Sequence, residues 1–495
     1  MRRYAVAAGL ALAALCTDAG ANGRPPATST LHFEVGNPQH VVAGMTFGAL
    51  FSNDNGTTWN WVCEAAFPYS GVYDPSYQYT ATGAVFATTF NGLRVMRDGC
   101  TFNSTPEGDT FISNVVLGSN SVIVTASAPT DSNIYTSTDD GQTFAVSASP
   151  GIPDDWWESY AIAPSNPQRV YLTGYRFLKI CGPGSLNAGS ACALDAQCTT
   201  VDGGLGTCET EKLFLMFRSD DGGATFQPIS QANITDSSSS AIDVVGIGSA
   251  DPDLVYIKVS FEDGAIGDGL YKSTTGGGSG SADPSAWTKI LDRQDPNGMV
   301  ALLRADGSLL AGTETLGMTL ATAPAGSGCT SEASCGWTAL TNPPHVGCLY
   351  EQPGSHDVWA CTQNYGNGSN IPSDGAGIMK SSDLATWTPL LKFQEITGPV
   401  TCGSDSLQAQ QCVAPYMGAP SVWCCLVVQI GIADSPISCT GAYTCTYVTD
   451  AGTAGGDNSD VKSSKGGCCN TGGGASGALL LTSLVGILLY RRRIR

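Results

Sequence analysis

Positive charge is scarce in this sequence. Lys and Arg together number 23 against 43 Asp and Glu, for a formal net charge of −20. Arg2, Arg3, Arg491, Arg492, Arg493 and Arg495 stand at the chain ends, so the stretch between them is more acidic still. A field of this sign opposes binding to nucleic acid and to anionic membrane surfaces, and it favours solubility. Histidine is scarcer: His32, His40, His345 and His356, none in a nucleophile motif. G-x-S-x-G, H-E-x-x-H and the P-loop are all missing, so the chemistries those motifs carry have no vehicle here. No full D-x-[DN]-x-[DN]-G loop occurs. Calcium at Asp-rich turns such as "SADPDL" therefore competes with the plainer reading of a capped turn, and no cofactor is expected. Before residue 470 no long apolar segment has a 3.6-residue period, which argues against a helical fold.

What the sequence has instead is a repeat. "SNDNGTTW", "STDDGQTF" and "SDDGGATF" share the pattern S-x-D-x-G-x-T-[WF], with Ser52, Asp54, Gly56 and Trp59, then Ser137, Asp139, Gly141 and Phe144, then Ser219, Asp221, Gly223 and Phe226. Eroded copies end at Phe102, Trp287, Trp337 and Trp387; the one closing at Trp337, "MTLATA…SCGW", has lost its acid. The unit recurs seven times at about 43 to 50 residues, with two insertions. Between these anchors lie short runs rich in Val, Ile, Thr and aromatics, broken by Gly, Asn, Asp and Ser. Four such strands per unit at this period predict an all-β, seven-bladed β-propeller. The repeated stretch would then be the turn between the third and fourth strands. There Ser and Asp can bond the turn's own amides, Gly tolerates positive φ, and the closing aromatic buries its ring.

With these residues on view, the chain resembles the Asp-box (BNR) repeat proteins over roughly residues 29–395. That family includes sialidases, xyloglucanase-type hydrolases, sortilin-type receptors and photosystem assembly factors. The resemblance implies the propeller but no single function. A sialidase-like enzyme would need an arginine cluster, a Tyr/Glu nucleophile pair and an acid. Between residues 22 and 475 only Arg24, Arg94, Arg97, Arg169, Arg176, Arg218, Arg293 and Arg304 occur, and there is no Arg-Ile-Pro motif.

Both ends of the chain carry targeting features. Residues 1–21 have two arginines, an apolar run and Ala19-Gly20-Ala21, as in a secretory signal peptide. At the other end "GGCCNTGGGASG", an apolar stretch and an arginine cluster resemble the MYXO-CTERM type of bacterial sorting tail, which implies display at the cell surface. Residues 475–495 are expected to form a transmembrane helix with a cytoplasmic arginine end; a plain membrane anchor is the alternative. The expected organisation is a propeller over 22–395 with a Cys-rich insertion at 180–211, a Cys-rich segment over 396–447 packed on it, and a linker with the sorting motif over 448–474.

Cysteine use suits an oxidising compartment. Cys348 with Cys361, and Cys329 with Cys335, look like local pairs, as do Cys63 and Cys100, which flank the first two closing aromatics. Cys181, Cys192, Cys198 and Cys208 share one insertion. Their spacing lacks C-x2-C pairs, so disulfides are expected there rather than zinc.

In a propeller blade the loops between blades and the loops between second and third strands share one face, opposite the repeated turns. On that face belong the aromatic connections "AAFPYSGVYDPSYQY" and "PGIPDDWWESY". Trp156, Trp157, Asp154, Asp155, Tyr69 and Tyr73 are the candidate ligand contacts, since two tryptophans beside acids suit a sugar ring. The blander reading packs one tryptophan under the loop. A glycosidase would need only two carboxylates, and Asp154, Glu158, Asp74 and Glu351 are the ones to consider. The leading expectation is non-catalytic binding of an extracellular protein or polysaccharide at the loop face; a glycoside hydrolase on the same face and a structural envelope component are the alternatives.

Overall fold

In the computed structural model, the described residues run from 25 to 432, apart from 68–73, 90, 108–109, 128–130, 201, 236–237, 262–266, 279, 281, 296, 367–370 and 415–420. Seven antiparallel sheets follow one another along the chain. Blade 1 is β1 (Thr28–Glu34), β2 (Asn37–Met45), β3 (Gly48–Ser52) and β4 (Asn60–Val62). Blade 2 is β5 to β8 (Tyr77–Tyr79, Val85–Thr89, Gly92–Met96, Phe102–Ser104), and blade 3 is β9 to β12 (Ile112–Leu117, Val122–Ala126, Ile134–Ser137, Ala145–Ala148). Blade 4 is β13 to β16 (Asp155–Ala163, Asn166–Cys181, Cys208–Ser219, Gln227–Pro228). Blade 5 is β17 to β20 (Ser239–Ile247, Val255–Phe261, Asp268–Ser273, Thr288–Arg293). Blade 6 is β21 to β24 (Met299–Leu303, Leu309–Thr313, Met318–Ala321, Thr338–Ala339), and blade 7 is β25 to β28 (Val346–Glu351, Val358–Thr362, Ile378–Ser381, Thr388–Leu391). In each sheet the strands pair in sequence order. The first strand of each sheet packs on the first strand of the next, and β25 returns to β1, so the seven sheets close into a propeller.

Because both faces of each sheet meet a neighbour, the core is divided among the gaps between blades. Val42, Ala43, Leu50 and Val62 in blade 1 and Trp359, Ile378 and Leu391 in blade 7 share one cluster, and separate clusters fill the other gaps.

All seven copies of the repeat fall between third and fourth strands, as the period predicts. In the first, the Ser52 hydroxyl donates to Asp54 Oδ1 at 2.8 Å and accepts the Gly56 amide at 2.9 Å, while Asp54 also accepts the Thr58 amide and hydroxyl at 2.8 and 2.7 Å. The same bonds recur around Asp139 and Asp221. Asn55 and Gly56, and likewise Asp140 and Gly141, have positive φ. At Gly141 a Cβ would lie 2.5 Å from the buried Phe86 ring, so only glycine fits. The closing tryptophans lock blades together: Trp59 Nε1 donates to Leu390 O at 3.1 Å, Trp287 Nε1 to Ser230 O at 2.7 Å and Trp337 Nε1 to Ile290 O at 2.7 Å. Each acceptor lies in or just after the outer strand of the preceding blade.

The ring is sealed by the segment after blade 7. β29 (Gly398–Pro399) adds to blade 1 as a fifth strand, parallel to β4. Gln408 then bonds Cys63 N and Trp61 O, and Cys412 joins Cys63. Cys402 joins Cys100 in the turn of blade 2. The expectation of local pairing for Cys63 and Cys100 is therefore corrected: their partners lie 349 and 302 residues away, and ring closure alone brings them near. Cys329–Cys335 and Cys348–Cys361 form as expected. The apolar "VWCCLVVQ" forms helix α1 (Val422–Gln429), whose Val422 and Leu426 join the blade 1 core, with Trp423 5.3 Å from Trp61. No helix among the described residues is long and apolar enough to cross a membrane. The proposed signal and the tail over 475–495 lie outside them.

Candidate functional site

Blade 4 departs most from the repeat, and it does so at the loop end. β14 and β15 stay paired from Val170↔Ser219 out to Cys181↔Cys208, forming a long hairpin arm that carries the Cys-rich insertion at its tip. Cys181–Cys198 and Cys192–Cys208 staple that tip. Cys181, Cys192 and Cys198 lie close enough together to hold a metal ion, but disulfides consume all three. Too small for a core of its own, the tip leaves Leu186, Leu194 and Leu205 51–72% exposed, and the arm below adds Phe177 at 54% and Leu213 at 37%. These are five of the ten large apolar side chains exposed among the described residues, all on one hairpin, which makes the arm the place where binding surface concentrates.

The "PDDWWES" stretch is not a free loop. Asp155 to Ser159 open β13, the innermost strand of blade 4. Trp157 is buried, donating Nε1 to Ser132 O at 2.8 Å, and Asp155 is buried against Arg176, whose Nε lies 2.5 Å from its Oδ1. Both were expected to contact a ligand; instead Trp157 fills the gap between blades 3 and 4, and Asp155 is held within blade 4 by its cross-strand partner Arg176 and the Ile152 amide. Trp156 is half-buried, stacked parallel on Tyr175 at 6.4 Å and tilted on Phe111 at 5.7 Å. Asp154 is exposed in the preceding turn with φ +77°. Asp74 is half-buried, while Tyr69 and Tyr73 lie outside the described residues. Glu351 sits at the opposite end of its blade, in contact with His356 and the Ala305 amide, and leaves the list of loop-face acids.

Glu158 occupies a β-bulge, where Trp157 pairs with Gly174 and Ser159 with Thr173. The bulge turns its carboxyl toward blade 5, where it accepts the Ile242 amide at 3.0 Å. Burial pushes its pKa up to about 7, assisted by Asp243 and opposed by the Ile242 bond, Lys212 and Lys258. Lys212 crosses from the arm, its ammonium 3.8 Å from the Tyr175 ring centroid and bonded to Ser240 O. Two further acids on this face are pushed up mainly by burial: Glu107, assisted by Asp131, and Glu314, assisted by Asp295.

A second polar group joins loops of blades 6 and 7. Asp374 accepts the Gln363 amide at 2.9 Å and lies 2.8 Å from His345 Nδ1, and the Gln363 side chain donates to Glu314 at 3.1 Å. No sequence motif announces it, since its members come from three separate loops. The chemistry this face offers is thus apolar contact from the arm and carboxyls that burial shifts toward the neutral form.

No known family matches the sequence, and no curated protein matches it. Solved structures do resemble the fold. The extracellular domain of a one component system of B. thetaiotaomicron is 12% identical, with TM-score 0.39 over 69% of this chain and 38% of that one. The Niastella koreensis GH74 enzyme is 14% identical, with TM-score 0.25 over 73% and 78%. YCF48 bound to D1 peptide is 11% identical, with TM-score 0.39 over 72% and 91%. The chain spans 38% of the length of the first of these. None of these TM-scores reaches 0.5, and any functional reading rests on the site itself.

Proposed function

We propose that this protein is a non-catalytic interaction module of the Asp-box type, which docks a protein partner through the blade 4 arm on its loop face. The observation that carries the reading is the gathering of Phe177, Leu186, Leu194, Leu205 and Leu213 on one disulfide-stapled hairpin. Exposed aliphatic side chains on a rigid support suit a protein surface, and pre-stapling lowers the ordering cost of binding. A polysaccharide fits this face less well, because Trp157 is consumed by packing. The export and sorting features of the sequence support display of the module at the cell surface, held by residues 475–495.

The test places a photo-reactive residue at Leu186 or Leu205 of the protein on living cells, with Val146 on an outer strand of blade 3 as the control. A discrete cross-linked species from the two arm positions and none from Val146 is expected. Equal labelling from all three, or none, refutes the arm. A second reading, glycoside hydrolysis, is favoured by one observation: a carboxyl at Glu158 that is half protonated near neutral pH, as a general acid requires. Release of reducing ends from a polysaccharide panel, abolished by Glu158→Gln, would establish it; no release leaves the binding reading standing.

A further inference from the structure

The copy of the repeat that lost its acid has become a 322–337 connection on the outer flank of blade 6. Where most blades close with a tight turn, this one makes an excursion stapled by Cys329–Cys335. Beneath it the buried Lys272 ammonium, on the third strand of blade 5, donates to Pro324 O at 3.0 Å, Gly326 O at 3.1 Å and Cys329 O at 2.8 Å. A fixed internal cation thus takes over the ordering that Asp provides in the regular turns. The excursion leaves β24 only two residues long, and a cavity of about 370 Å³ opens between it, β23 and the end of β20.

The lining combines two chemistries. Trp337 and Leu316 supply apolar wall, and Trp337 is fixed by its bond to Ile290 O. Arg293 and Glu332 form an ion pair, Nη1 to Oε1 at 2.8 Å, and Thr319 of β23 lines the wall with its hydroxyl donated to Thr338 O at 3.2 Å. Arg293 offers donors and Glu332 offers acceptors in one place, each held by the other. An anionic ligand would meet Glu332 and a chain of net charge −20; a cationic one would meet Arg293. A purely apolar ligand would cover the ion pair and return nothing to it. A neutral ring with an apolar face and a hydroxyl edge uses every wall, and the cavity falls at the small end of ligand sites, about 300–1,000 Å³.

We infer that this flank cavity, which reaches the loop-face rim at Leu316 and Gly317, is a binding site for a neutral pyranose sugar, two blades from the arm and independent of the arm's role. Saturation-transfer NMR on the intact protein tests it, with the methyl glycosides of glucose, galactose, mannose and xylose as probes and with benzoate and indole as non-sugar controls. At least one glycoside is expected to bind, with affinity falling tenfold or more in Glu332→Gln and in Trp337→Ala and unchanged in Trp156→Ala. Glu332 is half exposed, so Glu332→Gln keeps the test valid if Trp337→Ala fails to fold. The inference is overturned if no glycoside binds, if binding survives Glu332→Gln, if it is lost in Trp156→Ala instead, or if benzoate or indole binds and no sugar does.

Discussion

The repeated turns and three glutamates of the loop face treat the same side-chain chemistry in opposite ways. On the turn face, aspartates are held charged. The Thr143 hydroxyl and amide bring Asp139 down to about 2, and Thr225 does the same for Asp221. Asp54 is also lowered, burial working against the bonds from Thr58 and Ser52. On the loop face, Glu107, Glu158 and Glu314 are pushed the other way, chiefly by burial. One face spends its carboxylates on fastening its own backbone, in five of the seven copies; on the other, burial shifts these three glutamates toward the neutral form. Regularity marks the face that maintains the fold, and departure from it marks the surfaces left for ligands.

Five changes break or sharpen this contrast. The largest effect is expected from Gly141→Val on the turn face, where positive φ and the Phe86 contact combine; about 2–5 kcal/mol of stability should be lost in urea unfolding. Asp54→Ala should cost about 0.5–2 kcal/mol by analogy with helix-capping side chains, with arm cross-linking intact in the folded fraction. The pH response should split by face. Asp139 and Asp221 have depressed folded pKa values, so their stabilisation is present above about pH 4 and is lost as pH falls toward about 2; Asp139→Asn with Asp221→Asn should flatten the acid limb of a thermal-unfolding profile. Glu158 is the reverse: its folded pKa stands above the unfolded value, so stability falls as pH rises from about 4.5 to about 7, and Glu158→Gln should remove that slope. The smallest effect on stability, within about 0.5 kcal/mol, is expected from Leu186→Asp with Leu205→Asp, which should nonetheless abolish arm cross-linking from a probe at Leu194.

The fold was legible because its turns need particular atoms. A hydroxyl at Ser52, a carboxylate at Asp54, no Cβ at Gly56 and a large ring at Trp59 leave a pattern that survives erosion, so the position of every blade could be read. Even the copy at Ser381 keeps the geometry, although Leu384 must take φ +61° where other copies place glycine. What escaped reading depends on three dimensions. Cys63 and Cys412 become neighbours only when the ring closes. "PDDWWES" looks like a loop by composition, yet Trp157 fills a gap between blades and Asp155 pairs with Arg176 across its own sheet, which composition does not reveal. Lys272 gives no signal at all, because its partners are main-chain carbonyls of a distant connection. The arm was visible as an insertion with four cysteines, but its exposed leucines could be recognised only once the disulfides showed that no core encloses them.

The seal between Cys63 and Cys412 also has a mechanical meaning. Tension applied between the two ends of the described chain runs from residue 25 to Cys63, across the sulfur bridge, and out from Cys412. The 349-residue span between them carries none of it, and roughly 1,200 Å of contour is withheld from extension. Six of the seven blades ride as unstressed cargo inside a covalent loop. Replacing the cysteines of this bridge and of Cys100–Cys402 by serine would therefore change the length the chain can pay out under load while leaving the two bridges of the blade 4 arm in place.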